Sequence, residues 1–132
     1  MTASGLLDTS VFIASESGRD LAFDQLPDES LICVVTLAEL EAGVLSATTT
    51  EIRARRLRTA QRAASIVPLP IDAPAAAAWA RLRVVLHEAG RRIGVNDLWI
   101  ASVAVSRNLP VVTQDDDFDV LAELGLLEVV RV

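Results

Sequence analysis

The chain has 132 residues, 52% apolar and 23% charged, with 18 acids against 12 bases and a net charge of −6. This is one domain's length, residues 1–132, with apolar sequence enough for a core and too much acid to advertise nucleic-acid binding by charge alone. All 12 bases are arginine, which excludes a Walker-type phosphate loop and any mechanism resting on a catalytic lysine, and no run reaches the roughly 18 to 20 apolar residues of a membrane span.

Leu6-Leu7 reads as the end of a short buried strand, and Asp8 follows it directly, between two apolar stretches. An ionised carboxylate in such a place must be paired, hydrogen-bonded or metal-bound, because burying it alone is costly. Thr9 to Ser15 starts a helix, and Arg19 to Gln25 is a short amphipathic helix candidate stopped by Pro27. Leu31 to Val34 reads as a second strand, with Cys33 an inert core thiol. A single cysteine rules out an internal disulfide. With no secretory signal visible, the chain is expected in a reducing cytoplasm.

Thr36-Leu37-Ala38-Glu39 matches a capping box and opens a helix through about Leu45. After a polar turn, Glu51 to Ser65 forms a helix rich in arginine. Arg55, Arg58 and Arg62 share one of its faces, either as a solvated edge whose stems cover the core or as a ridge that tracks phosphates. Ile66-Val67 is a brief strand or extended linker. Asp72-Ala73-Pro74 starts a helix that runs through Trp79 to about Ala89. Both Trp79 and Trp99 read as packing residues, and His87 as a surface residue. Arg91 and Arg92 precede the next turn and are candidates for contact with a binding partner.

Gly94 to Asp97 opens a nearly apolar helix, Leu98 to Arg107, which belongs in the middle of the domain. Val111 to Thr113 is a third strand, followed by the run Asp115-Asp116-Asp117-Phe118-Asp119. A short helix ends at Gly125, and Leu127 to Val132 is the last strand. Strands alternating with helices predict an α/β fold, with a short, mostly parallel sheet of about four or five strands covered by helices on both faces. In such sheets ligands bind beyond the carboxyl ends of the strands.

Asp8, Glu39, Asp97 and Asp115 fall at or near that rim. Each has an ordinary explanation: Glu39 closing a capping box, Asp97 offsetting a helix dipole, Asp115 capping a short helix, the Asp run solvated. Convergence of all four explains them together. Carboxylates about 4 Å apart repel by roughly 4 kcal/mol per pair at an effective dielectric near 20. Such a cup therefore needs protons or hard cations, and oxygen donors suit Mg²⁺ rather than zinc.

These pieces resemble the PIN-domain ribonucleases, and among them the VapC-type toxins of bacterial toxin–antitoxin pairs. The likeness lies in Leu7-Asp8-Thr9-Ser10, Thr36 to Gly43, Asn96 to Ala101 and Val112 to Phe118, in family order and spacing. It implies a metal-dependent endoribonuclease that hydrolyses RNA phosphodiesters by metal-activated water, leaving 5′-phosphate and 3′-hydroxyl ends. Asp8, Glu39, Asp97 and Asp115 would carry the metal site, with Asp117 sharing the last role, and Thr9, Ser10 and Thr113 would support the acids. The cofactor would be Mg²⁺, or Mn²⁺ in its place, one or two ions per site. The implied partners are RNA, a cognate antitoxin and a second copy of the chain. The alternative is a catalytically idle domain of the same fold that binds RNA or protein. Aspartyl-phosphate hydrolases and phospho-receiver domains are excluded, because both need a lysine.

Overall fold

The structure is a computed structural model that describes residues 3–132. Four short strands, β1 (Ser4–Leu7), β2 (Glu29–Leu31), β3 (Val111–Thr113) and β4 (Val129–Arg131), form one sheet in the order β2-β1-β3-β4. Every pairing is parallel, with Leu6 beside Leu31 and Val111, and Thr113 beside Arg131. Six helices complete the fold: α1 (Thr9–Ser17), α2 (Val34–Leu45), α3 (Thr50–Ala64), α4 (Ala73–Glu88), α5 (Val95–Ser106) and α6 (Asp119–Glu123).

The period of two along the strands sorts the core into two layers. Leu6 and Val111 face one way, against Leu82 and Leu86 of α4, Ile100 and Ala104 of α5, and Leu121 of α6. Leu7 and Val112 face the other way, against Val11 of α1, Leu40 of α2 and Ala63 of α3. Helices thus cover both faces, as the alternation of elements requires. The two strands pass so closely that a side chain at Gly5 would meet Val112 Cγ2 at 2.8 Å and Pro27 Cγ at 3.2 Å. Glycine is the residue that permits this approach.

Several boundaries depart from the sequence pattern. The segment expected as a helix from Arg19 to Gln25 is extended chain ending in a single 3₁₀ turn, Phe23–Gln25, because Gly18 takes a left-handed conformation (φ 74°) and stops α1. The second strand is Glu29–Leu31 rather than Leu31 to Val34, and Cys33 instead caps α2 while bridging Leu69. Its run of apolar residues satisfies helix and strand equally. No capping box forms at Thr36, since α2 has already begun at Val34 and Thr36 lies inside it, fully buried. The last strand is shorter than Leu127 to Val132, and the linker after α3 pairs only through Leu69.

Other expectations hold. Asp72 accepts from the Ala75 N–H at 3.1 Å and caps α4. The α5 helix is buried along most of its length. Trp79 and Trp99 stack with ring centroids 5.1 Å apart, and the Arg83 guanidinium lies 5.5 Å from the Trp79 ring. His87 is exposed. Burial pushes the Cys33 thiol pKa up, which keeps it protonated and unreactive. Among the described residues, no helix is long and apolar enough to cross a membrane.

Candidate functional site

Asp8 is the residue between β1 and α1, and its backbone N–H donates to the Val112 carbonyl at 2.8 Å. The carboxylate is 4% exposed. Its Oδ2 accepts from the Ser10 hydroxyl at 2.7 Å and from the Thr113 hydroxyl at 3.0 Å. Those two hydroxyls lie 3.1 Å apart, and each accepts a backbone N–H from the loop after β3: Gln114 to Ser10 at 3.1 Å, Asp115 to Thr113 at 3.0 Å. Burial raises the Asp8 pKa, while the hydroxyls and the N–H groups of Thr9 and Ser10 oppose that rise. No side chain among the described residues donates to its other oxygen, Oδ1.

Glu39 lies one turn into α2 and is held from α1. The Thr9 hydroxyl donates to Glu39 Oε1 at 2.8 Å and is 3.1 Å from the Thr36 hydroxyl. The ordinary explanation for Glu39 therefore fails: it reaches across to another helix and closes no cap.

Asp97 occupies the first turn of α5, beside Gly94, where a Cβ would come 3.3 Å from Asp97 Oδ2. Its pKa is raised to about 7, first by burial and then by the charges of Asp8, Asp117, Glu39 and Asp115. Those acids come from three separate stretches of chain, and all bear on one carboxyl. Burial, Asp8 and Asp117 likewise raise the Asp115 pKa, and the charges of Arg19 and Arg131 pull it down. Asp115 is not a helix cap, since α6 begins after Phe118.

The Asp run divides in two. Asp116 and Asp119 are claimed by Arg131, at 2.6 and 2.8 Å. Asp115 and Asp117 are in no ion pair among the described residues, nor are Asp8, Glu39 and Asp97. Within this run, the two acids without an ion pair are the two whose charges reach Asp97.

Among the described residues, no three His, Cys, Asp or Glu side chains stand close enough to hold an ion in this conformation. In kind, however, the donors fit a hard cation: they are all carboxylate oxygens, and their charges repel at Asp97.

The expected arginines separate. Arg91 pairs with Glu123 at 3.1 Å. With Arg92 and Gly94 it lines a depression of 710 Å³ whose other wall carries Asp116, Asp117 and Asp119. Arg55, Arg58 and Arg62 line a different groove, between α1 and α3. Three participants escaped the sequence reading. Thr36 looked like a cap. Arg19 lay in a supposed helix. Arg131 reaches Asp116 only because β4 pairs with β3, a register that no local pattern announces.

The PIN domain family model matches residues 5–124. The chain is 58% identical over 130 residues to Ribonuclease VapC5 of Mycobacterium tuberculosis, covering 98% of this chain and 96% of that protein. It is 42% identical over 129 residues to Ribonuclease VapC4 of the same organism, covering 94% and 95%. Among solved structures, it superposes on a chain of the VapBC-5 toxin–antitoxin crystal structure from Mycobacterium tuberculosis with a TM-score of 0.92 and 55% identity, covering 98% of this chain and 99% of that one.

Proposed function

The chain belongs to the PIN-domain family, among the VapC ribonucleases, and from that premise we propose that it is a metal-dependent endoribonuclease and the toxin of a toxin–antitoxin pair. The observation that carries the proposal is the crowding of Asp8, Glu39, Asp115 and Asp117 charges on Asp97, with none of these acids answered by an arginine ion pair. Outside a site that takes up cations or protons, such crowding only destabilises.

Asp8, Glu39, Asp97 and Asp115, with Asp117 beside them, would hold Mg²⁺ or Mn²⁺, one or two ions. The bound cation would supply an activated water and neutralise charge on the phosphodiester oxygens. The chain's own part is positional. Ser10 and Thr113 fix the Asp8 carboxylate by its Oδ2, and Thr9 fixes Glu39 by its Oε1. The Asp97 carboxyl, raised to about 7 by burial and its acidic neighbours, would be drawn back to the ionised form by a bound cation, which suits it to be a ligand. The relatives' names and the toxin–antitoxin complex in which one of them was solved support RNA as substrate and an antitoxin as partner. A homodimer is proposed on the resemblance alone.

Incubating RNA with the protein and Mg²⁺ tests the reading. Wild type is expected to cut internally, leaving 5′-phosphate ends, and Asp8→Asn to lose at least about 100-fold in rate. Equal cleavage by wild type and Asp8→Asn would refute it. Calorimetry with Mn²⁺ separates the idle-domain alternative, because an idle domain need not take up the ion.

A further inference from the structure

The five arginines at positions 53, 55, 56, 58 and 62 of α3 do two different jobs. Arg53 donates to the Ala47 carbonyl at 3.1 Å, and Arg56 to the Gly43 carbonyl at 2.7 Å. Both therefore serve the C-terminal end of α2, where carbonyls lack partners and the helix dipole is negative. Arg55, Arg58 and Arg62 point elsewhere. They line a groove of 690 Å³ with Ser15 and Glu16 of α1 and with Thr59, Gln61 and Ser65. None of the three is in an ion pair with any described residue. Glu16, the acid in this lining, is occupied by the Thr59 hydroxyl at 2.8 Å. Arg62 also approaches that hydroxyl, at 3.5 Å.

On a chain of net charge −6, three exposed guanidinium groups kept together, with one carboxylate, Glu16, in the same lining and no ion pair formed, are a local exception. Their span is seven residues of helix, about 10 Å. The groove is linked to the acids through the chain. Its α1 wall ends at Gly18, and Arg19 follows, one residue before Asp20. Gln114, the neighbour of Asp115, donates to the Asp20 carbonyl at 2.8 Å and ties the same segment to the rim.

We propose that Arg55, Arg58 and Arg62 form a phosphate-binding track that holds the RNA strand to one side of the acidic site, with Arg19 joining track to site. This rests on the ribonuclease reading and adds to it where the substrate lies. Guanidinium forks grip phosphate oxygens in any sequence context, so the track contributes affinity and register rather than base preference.

The experiment is fluorescence anisotropy with labelled polyuridylate across a salt series, all proteins carrying Asp97→Asn so that the RNA survives. The triple variant Arg55→Gln/Arg58→Gln/Arg62→Gln is expected to bind about ten-fold or more weakly at low salt, and its log K against log salt slope to be shallower by about 2, at roughly 0.7 per lost phosphate contact on a single strand. The triple lysine variant keeps the charge and is expected to retain the slope. Arg81→Gln, on an exposed turn of α4, controls for the loss of an arginine away from the groove. A triple glutamine variant that melts like its parent yet binds RNA with unchanged slope overturns the track. So does one that keeps RNA affinity but no longer captures the antitoxin, because the groove would then belong to a protein. The ribonuclease reading is judged separately: wild type that fails to cut the same RNA in Mg²⁺ sinks that reading, whatever the slopes show.

Discussion

Thr113 stands at the junction of everything that holds Asp8. Its hydroxyl donates to Asp8 Oδ2 and accepts the Asp115 N–H, so one fully buried side chain orients two of the acids. Valine has the same shape and neither bond. Thr113→Val is expected to cost about 1–3 kcal/mol in stability, the range for a buried polar group left without its partner. It should also lower RNA cleavage by more than its effect on folding explains. Urea unfolding and single-turnover cleavage, measured on the same preparation, separate the two effects. Thr113→Ser, which keeps the hydroxyl, is expected to restore most of the rate.

Elements, rather than residues, explain why some of the architecture was legible and some was not. The α4 start was plain because its signals are local: an Asp cap and a proline in the first turn, confirmed by the Asp72 to Ala75 bond. The sheet and its two covering layers followed from alternation of apolar runs with helical ones. The junction of β2 and α2 was not legible. Ile32 to Val35 is apolar throughout, and the choice between strand and helix cap was made by Cys33 bridging Leu69, which is 36 residues away in sequence. Spacing alone set Arg55, Arg58 and Arg62 on one face of α3, but helical spacing gives faces and not what each face meets. Arg56 illustrates the difference. Its bond to the Gly43 carbonyl joins α3 to α2, and Arg56→Ala is expected to lower stability by about 1–2 kcal/mol through that charge-assisted bond. Thermal melting is the check, with RNA affinity expected to change little.

For the whole molecule, the acid cluster makes stability depend on pH and on cations. Asp97 titrates at about 7 in the folded chain, against 3.8 for an unperturbed aspartate, and the Asp8 and Asp115 values are shifted the same way. Between those limits the folded state holds a proton that the unfolded state has lost. The stabilisation is complete below the unfolded value and disappears as pH rises through the folded one. Melting temperatures taken in a chelator are therefore expected to fall by several degrees from about pH 5 to about pH 8. Mg²⁺ should flatten the profile by raising the alkaline end, as any ligand of the native state does. Asp97→Asn should flatten it without metal. A flat chelator profile for wild type would show that the acids do not crowd one another.

The contributions to this site are spread along the chain: Asp8 near its start, Glu39 in the first third, Asp97 and Thr113 far downstream. During synthesis on the ribosome, Asp8 emerges long before Thr113, and β1 waits with one neighbour still untranslated. A half-made chain consequently carries Asp8 and Glu39 without the frame that aims them. Any activity that needs the framed acids can begin only after β3 is in place.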